Sequence, residues 1–198
     1  MGLALDQLAQ EVGVHERTLR RAAGSGLIHA LWPSPRRLSL SASETEWVRS
    51  HWRLVGELLS VLRTEPNLEL AVLFGSVARG DDVSGDSDVD LLVGLRCFSP
   101  GALEDLRRRL EERLRLDVQL VPLQVARRDP QLLAEALREG RPLADRGHIW
   151  PQLQAQQEQT REQASLAGRE LREEAHAALG YFQRLAARRA PSATGVAR

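Results

Sequence analysis

The stretch that most constrains this chain runs Leu70-Ala71-Val72-Leu73-Phe74-Gly75-Ser76-Val77-Ala78-Arg79-Gly80 and resumes at Ser87-Asp88-Val89-Asp90-Leu91-Leu92-Val93. The first apolar run, with its β-branched and aromatic residues, predicts a buried strand. Gly75 lets the backbone turn sharply and approach a ligand with no Cβ in the way. A helix starting at Ser76 would aim its free N–H groups at the turn, an arrangement suited to phosphate. The second run predicts a strand with Asp88 and Asp90 on one face, their Cα atoms roughly 7 Å apart. Two carboxylates side by side repel unless a cation lies between them. A hard divalent ion is the natural cation, and Mg²⁺ the first choice where phosphate is also present.

Gly-Ser-Val-Ala-Arg-Gly followed by Ser-Asp-Val-Asp-Leu-Leu-Val resembles the signature of the DNA polymerase β-type nucleotidyltransferase superfamily, and within it the minimal (MNT-type) nucleotidyltransferases. The resemblance covers about residues 68 to 145. It implies that Gly75 and Ser76 hold nucleotide phosphates and that Asp88 and Asp90 bind Mg²⁺, two ions in all. It also implies a third carboxylate from a later strand. Leu116-Asp117-Val118-Gln119-Leu120-Val121 matches that strand, which makes Asp117 the third catalytic and metal-binding residue. Without the resemblance, Asp117 and Gln119 read as an exposed sheet face, with Leu116, Val118 and Leu120 inside. Arg79 reads equally as a nucleotide ligand or as the partner of an acid in the turn. Asp81, Asp82 and Asp86 read as solvated turn residues.

At 198 residues the chain has room for one medium or two small domains. The formal net charge is zero, so no global field draws it to nucleic acid or to a membrane. All basic residues are arginine. Cys97 is the single cysteine, which excludes an intrachain disulfide and fits a reducing compartment. No run reaches the length of a membrane span, and the N-terminus has no signal-peptide pattern. A cytoplasmic protein without membrane association is expected.

Residues 1–42 read as a winged helix-turn-helix. Leu5 to Val12 is a short amphipathic helix ended by Gly13, and Val14 to Ala23 is a second. Leu27–Trp32 and Arg37–Ser41 flank Pro33-Ser34-Pro35-Arg36 as a hairpin. Arg17, Thr18, Arg20 and Arg21 face outward on the second helix, and Arg36 and Arg37 lie at the wing tip. Across this patch Glu16 is the one acid, so double-stranded DNA is an expected partner. A protein-docking role is the alternative for such a head.

Residues 43–65 read as a connecting helix, with Ser43 as N-cap and Glu46 completing a capping box. Its wide apolar face, Trp47 and Trp52 included, predicts packing on both neighbouring domains. Residues 66–146 form the nucleotidyltransferase core, expected as a small mixed sheet with helices on one side. A charged, solvated helix is expected over Ala102–Leu114. Residues 147–189 are helical, with a thin apolar stripe through Leu153, Ala164, Ala167, Leu171, Ala175, Ala178, Leu179 and Phe182, suited to an intrachain helix, a second subunit or a partner protein. Residues 190–198 are expected to be a disordered tail.

The fold class is therefore α+β. The expected activity is Mg²⁺-dependent transfer of a nucleoside monophosphate, AMP from ATP, to a protein or small-molecule acceptor. The resemblance extends this to an antitoxin paired with a HEPN-type protein, for which a DNA-binding head suits autoregulation. The alternative is a transcriptional regulator whose nucleotidyltransferase core only binds nucleotide or serves as a scaffold.

Overall fold

The computed structural model describes residues 5–34, 37–81 and 88–189, with side chains as far as Glu173. Arg36, Asp82, Asp86 and the tail 190–198 lie outside these residues, as do the side chains of Ala175, Ala178, Leu179 and Phe182.

The architecture is α+β, as expected. Its centre is a four-stranded sheet built from β3 (Leu68–Phe74), β4 (Val89–Leu95), β5 (Val118–Pro122) and β6 (Arg141–Asp145), in the order β5-β4-β3-β6. β3 runs antiparallel to both β4 and β6, and β4 runs parallel to β5. The mixed sheet is as expected, but its covering is not. Helices pack on both faces. Ala71, Leu73, Leu91 and Val93 belong to one core with α3 (Ala42–Arg63) and α5 (Pro100–Leu114). Leu70, Val72, Phe74 and Leu92 belong to a second core with α6 (Leu123–Ala126), α7 (Pro130–Glu139) and α8 (Trp150–Ala155). Two-sided burial explains why both motif strands read as unbroken apolar runs rather than alternating ones.

The N-terminal segment consists of α1 (Leu5–Glu11), α2 (Glu16–Gly24) and a hairpin of β1 (Leu31–Ser34) and β2 (Arg37–Ser39). The first strand is shorter than expected, because Leu27 and Ile28 leave the hairpin and enter the core. Leu31 and Trp32 are exposed on β1.

α3 starts two residues earlier than the expected capping box. Ser41, not Ser43, is the N-cap and accepts the Glu44 N–H at 3.0 Å. Glu46 does not close a box but pairs with Arg49. The residue three beyond the true cap, Glu44, turns inward instead and binds Arg141. At the other end of α3, Arg146 donates to the carbonyls of Leu62, Arg63 and Glu65, which ties the helix C-terminus to the bend that follows β6. Trp47 and Trp52 are buried. α5 carries the expected surface ion pairs, Arg107 with Glu104 and Glu111 among them, and it also reaches α3 through the Arg113–Glu57 pair.

The C-terminal extension is α8 and the long α9 (Gln157–Arg189). Leu153 and Thr160 are buried, and α9 packs along α7. Of the apolar stripe, Leu153 is thus buried within the chain and Ala164 and Ala167 are partly buried, whereas Leu171 and the nearby Leu166 stay exposed.

Candidate active site

The site forms where β3 ends. α4 (Gly75–Arg79) begins directly after Phe74, which is paired across the sheet with Asp90. This pairing sets the Asp90 carboxylate against the turn. Gly75 has φ +75°, and a Cβ there would collide with the Asp90 carboxylate. Both facts require glycine: the left-handed backbone and the close approach.

Asp88 immediately precedes β4 and is exposed, while Asp90 is half-buried. Strand alternation puts both on the face covered by α7. Burial is the main cause that pushes the Asp90 carboxyl above its usual range, followed by the neighbouring Asp88 charge and those of Glu135 and Glu139, with Arg79 opposing. Four carboxylates therefore bear on one small region.

Glu139, at the end of α7, organises it. Its Oε1 accepts the Gly75 N–H at 2.9 Å and the Arg79 guanidinium at 2.8 Å, and the side chain is buried. Arg79 also lies 3.4 Å from Glu135 and 3.9 Å from Asp81. The hydrogen bond to Glu139 holds its guanidinium proton still more firmly than usual. The nearest acids to Arg79 are thus on α7, and the turn's own Asp81 is the most distant of the three. Glu139 had a faint sequence signal in the Glu139-Gly140 pair at the end of the resemblance. Nothing in the local sequence marked its contact with Gly75, which spans 64 residues.

The far end of α4 is clamped from behind. Trp47 Nε1 donates to the Val77 carbonyl at 2.9 Å, and Arg141 Nε donates to that of Ala78 at 2.8 Å. A His51 ring nitrogen lies 3.1 Å from the Asp81 carbonyl. These contacts engage carbonyls at and beyond the helix end, of which that of Val77 also accepts the Gly80 N–H at 3.2 Å. Arg141 stacks on the Trp47 ring at 3.6 Å, and Trp47 stacks on His51.

Asp117 lies just before β5 and is exposed, and its carbonyl accepts the Val89 N–H at 2.9 Å. The register makes it level with Asp88, while Gln119 is level with Asp90. Among the described residues no group of three or more His, Cys, Asp or Glu gathers closely enough to hold a metal ion. Asp117 thus shares the sheet face with Asp88 and Asp90 without joining them in one cluster. The donor set still fits Mg²⁺, which commonly takes one or two carboxylates and completes its shell with substrate phosphate and water.

The arginines named on the N-terminal segment differ in their surroundings. Arg17, Thr18 and Arg21 are exposed on α2, and Arg37 is exposed on β2. Arg20 is bound to Glu16 on its own helix at 2.7 Å.

No curated protein matches the sequence. Among solved structures, the chain is similar to one from a toxin–antitoxin MntA-HpeT mutant, with 22% identity over 65% of this chain and 98% of that chain, at a TM-score of 0.47. It is similar to one from a toxin–antitoxin with AMP-PNP, at 24% identity, 65% and 98% coverage and a TM-score of 0.47. A third comes from a tri-AMPylated Shewanella oneidensis HEPN toxin in complex with MNT antitoxin, at 22% identity, 67% and 98% coverage and a TM-score of 0.42. Residues 57–148 match the family model described as Polymerase beta, Nucleotidyltransferase, and the sheet, α4 and both motif aspartates lie inside the matched stretch.

Proposed function

We propose that the chain transfers a nucleoside monophosphate, AMP from ATP, to a hydroxyl of a protein or small-molecule acceptor. The observation that carries this reading is the placement of Asp88 and Asp90 on one face beside the Gly75 turn, within the stretch that matches the nucleotidyltransferase family. Asp88 and Asp90 would hold Mg²⁺, which supplies charge neutralisation for the triphosphate and for the attacking oxygen. Gly75 and Ser76 bring backbone close to the phosphates, with Glu139 fixing the turn from below. Arg79 meets phosphate by exchanging part of its contact with Glu135 and Glu139 for the substrate. Asp117, level with Asp88 on the adjoining strand, is placed to take the proton of the acceptor hydroxyl. Pyrophosphate leaves.

The experiment is Mg²⁺-dependent turnover of α-labelled ATP by the wild type and by the double variant Asp88→Asn/Asp90→Asn. Both side chains are at least partly exposed, so the variant should keep the fold and lose turnover. Wild-type turnover in a folded double variant would remove the assignment.

A second reading is a DNA-binding regulator whose core binds nucleotide without transfer. The exposed Arg17, Thr18 and Arg21 on α2 favour a DNA-binding role for residues 1–42, either alongside catalysis or in place of it. The partner that fits the antitoxin form of the reading is a HEPN-type protein carrying the acceptor hydroxyl. Leu166 and Leu171 are exposed apolar residues on α9 where such a protein or a second copy would dock. Co-purification with the product of a neighbouring reading frame tests the partner.

A further inference from the structure

Two acids one turn apart on α7 hold Arg79 of α4, and their surroundings differ. Arg79 Nη1 lies 2.8 Å from Glu139 Oε1 and 3.4 Å from Glu135 Oε1. The Glu139 side chain is only 9% exposed, and the same Oε1 accepts the Gly75 N–H. Taking Arg79 from Glu139 would leave a buried carboxylate short of its cation, which is costly. The Glu135 side chain is 42% exposed, and Arg79 is its one hydrogen-bond and ion-pair partner among the described residues. Water can take over the charge of Glu135 when Arg79 turns away, at the small cost usual for an exposed pair. Of the two contacts, the one to Glu135 is the one that gives way.

Glu135 also adds negative charge where a triphosphate would come. Its charge bears on Asp90 together with those of Asp88 and Glu139. Mg²⁺ on Asp88 and Asp90 would offset those two carboxylates, and Glu139 keeps the Gly75 N–H and a contact with Arg138 at 3.3 Å. Glu135 is left with no cation once Arg79 faces phosphate. We propose that Glu135 is a positioning residue that holds Arg79 aside in the nucleotide-free chain, is displaced from it by the incoming phosphates, and thereby limits the affinity for nucleotide. The proposal rests on the nucleotidyl-transfer reading above and assigns the part of the Arg79 contact that is exchanged. Glu139 stays with Arg79 and keeps it beside the turn. One ion pair is exchanged for another, no covalent bond changes, and the pair with Glu135 re-forms when pyrophosphate leaves. Tighter binding of substrate and transition state alike would lower KM without raising kcat, so the restraint costs the chemical step nothing.

The test is calorimetric titration of the full chain with α,β-methylene-ATP and Mg²⁺. The methylene bridge cannot release pyrophosphate, so binding is read without turnover. Glu135→Gln should lower Kd about threefold or more, because it removes a repelling charge and frees Arg79. Glu135→Ala should do the same, so the result does not hang on the folding of one variant. A gain in affinity is also a readout that damage to the fold does not produce. Arg79→Gln should raise Kd, and in that background Glu135→Gln should gain less than it does beside the native arginine. An unchanged or raised Kd in both Glu135 variants would overturn the role. Equal gains with and without Arg79 would also overturn it, since Glu135 would then act as a background charge alone. Loss of Mg²⁺ dependence in Glu135→Gln would overturn it by making Glu135 a metal ligand. In each of these cases Mg²⁺-dependent binding by the wild type leaves the transfer reading standing. A wild type that binds no nucleotide with Mg²⁺ would overturn that reading, and the role of Glu135 with it.

Discussion

Arg141 and Glu44 meet in the interior through two hydrogen bonds, Nη1 to Oε1 at 2.6 Å and Nη2 to Oε2 at 3.0 Å. Both side chains are nearly inaccessible. Arg141 also donates to the Leu27 and Ala78 carbonyls, and Glu44 also accepts the His29 N–H. One ion pair thus joins the N-terminal segment, α3, the end of α4 and the start of β6. A buried pair is weak evidence for net stability, but removing one partner strands the other charge. Glu44→Gln should therefore cost about 3–5 kcal/mol. Urea unfolding measures it, and a loss under about 1 kcal/mol would show that water or another group compensates Arg141. Because Arg141 also holds α4, the variant should lose nucleotide turnover at temperatures where it is still folded.

Gly75→Ala tests the close approach at the turn. The left-handed backbone costs a non-glycine residue about 1–2 kcal/mol. The added Cβ would also displace the Asp90 carboxylate. Stability should fall modestly, and turnover should fall tenfold or more, since Asp90 shifts from its place beside Asp88. Circular dichroism separates the two effects. Unchanged turnover in a folded variant would mean that the position of Asp90 relative to the turn is not critical.

The local chemistry of the site was legible in the sequence, and its long-range supports were not. Gly75, Asp88 and Asp90 announce themselves because strand period, glycine freedom and carboxylate repulsion are properties of neighbours along the chain. Glu139, Trp47 and Arg141 act on α4 from 30 to 64 residues away. Trp47 was read as apolar packing, which is right for its ring and silent about its N–H. The second helical layer was missed because a helix such as α7 gives the same amphipathic pattern on either face of a sheet. Ser41 begins a Ser-x-x-Glu pattern just as Ser43 does, and the burial of Glu44 against Arg141 goes with the cap at Ser41 rather than at the expected Ser43.

His29 gives the fold a pH dependence of predictable sign. His29 is exposed over 48% of its side chain, and the partial desolvation of the rest is the first cause lowering its pKa from the ordinary 6.5, the Arg141 charge the second, against Glu44 and a Gly140 backbone hydrogen bond that raise it, so the effect on stability is small. The unfolded chain therefore binds a proton at higher pH than the folded one. Stability from this group is fully present above pH 6.5 and is lost as pH falls toward the lowered folded value. Urea unfolding at several pH values between neutrality and mild acid should show the wild type losing stability faster than His29→Gln. Parallel curves for the two proteins would assign the acid sensitivity elsewhere.

The N-terminal segment offers a test that does not depend on catalysis. Arg17, Thr18 and Arg21 form an exposed face on α2, and Arg37 is exposed on the hairpin. Arg20, expected to join them, is held by Glu16 through two of its guanidinium nitrogens. If this face meets duplex DNA, its arginines neutralise phosphates and release counterions, about 0.9 per contact. Arg17→Ala and Arg21→Ala should each weaken binding and flatten the salt dependence by roughly one contact's share. Arg20→Ala should do less, because part of its guanidinium is already committed within the helix. Gel-shift titrations over a range of salt, with the chain's own upstream region as probe, measure both quantities. Binding that ignores salt, or that falls equally for all three variants, would place the contact surface elsewhere. Absence of any shift at low salt would leave α2 and the hairpin as a docking module for protein.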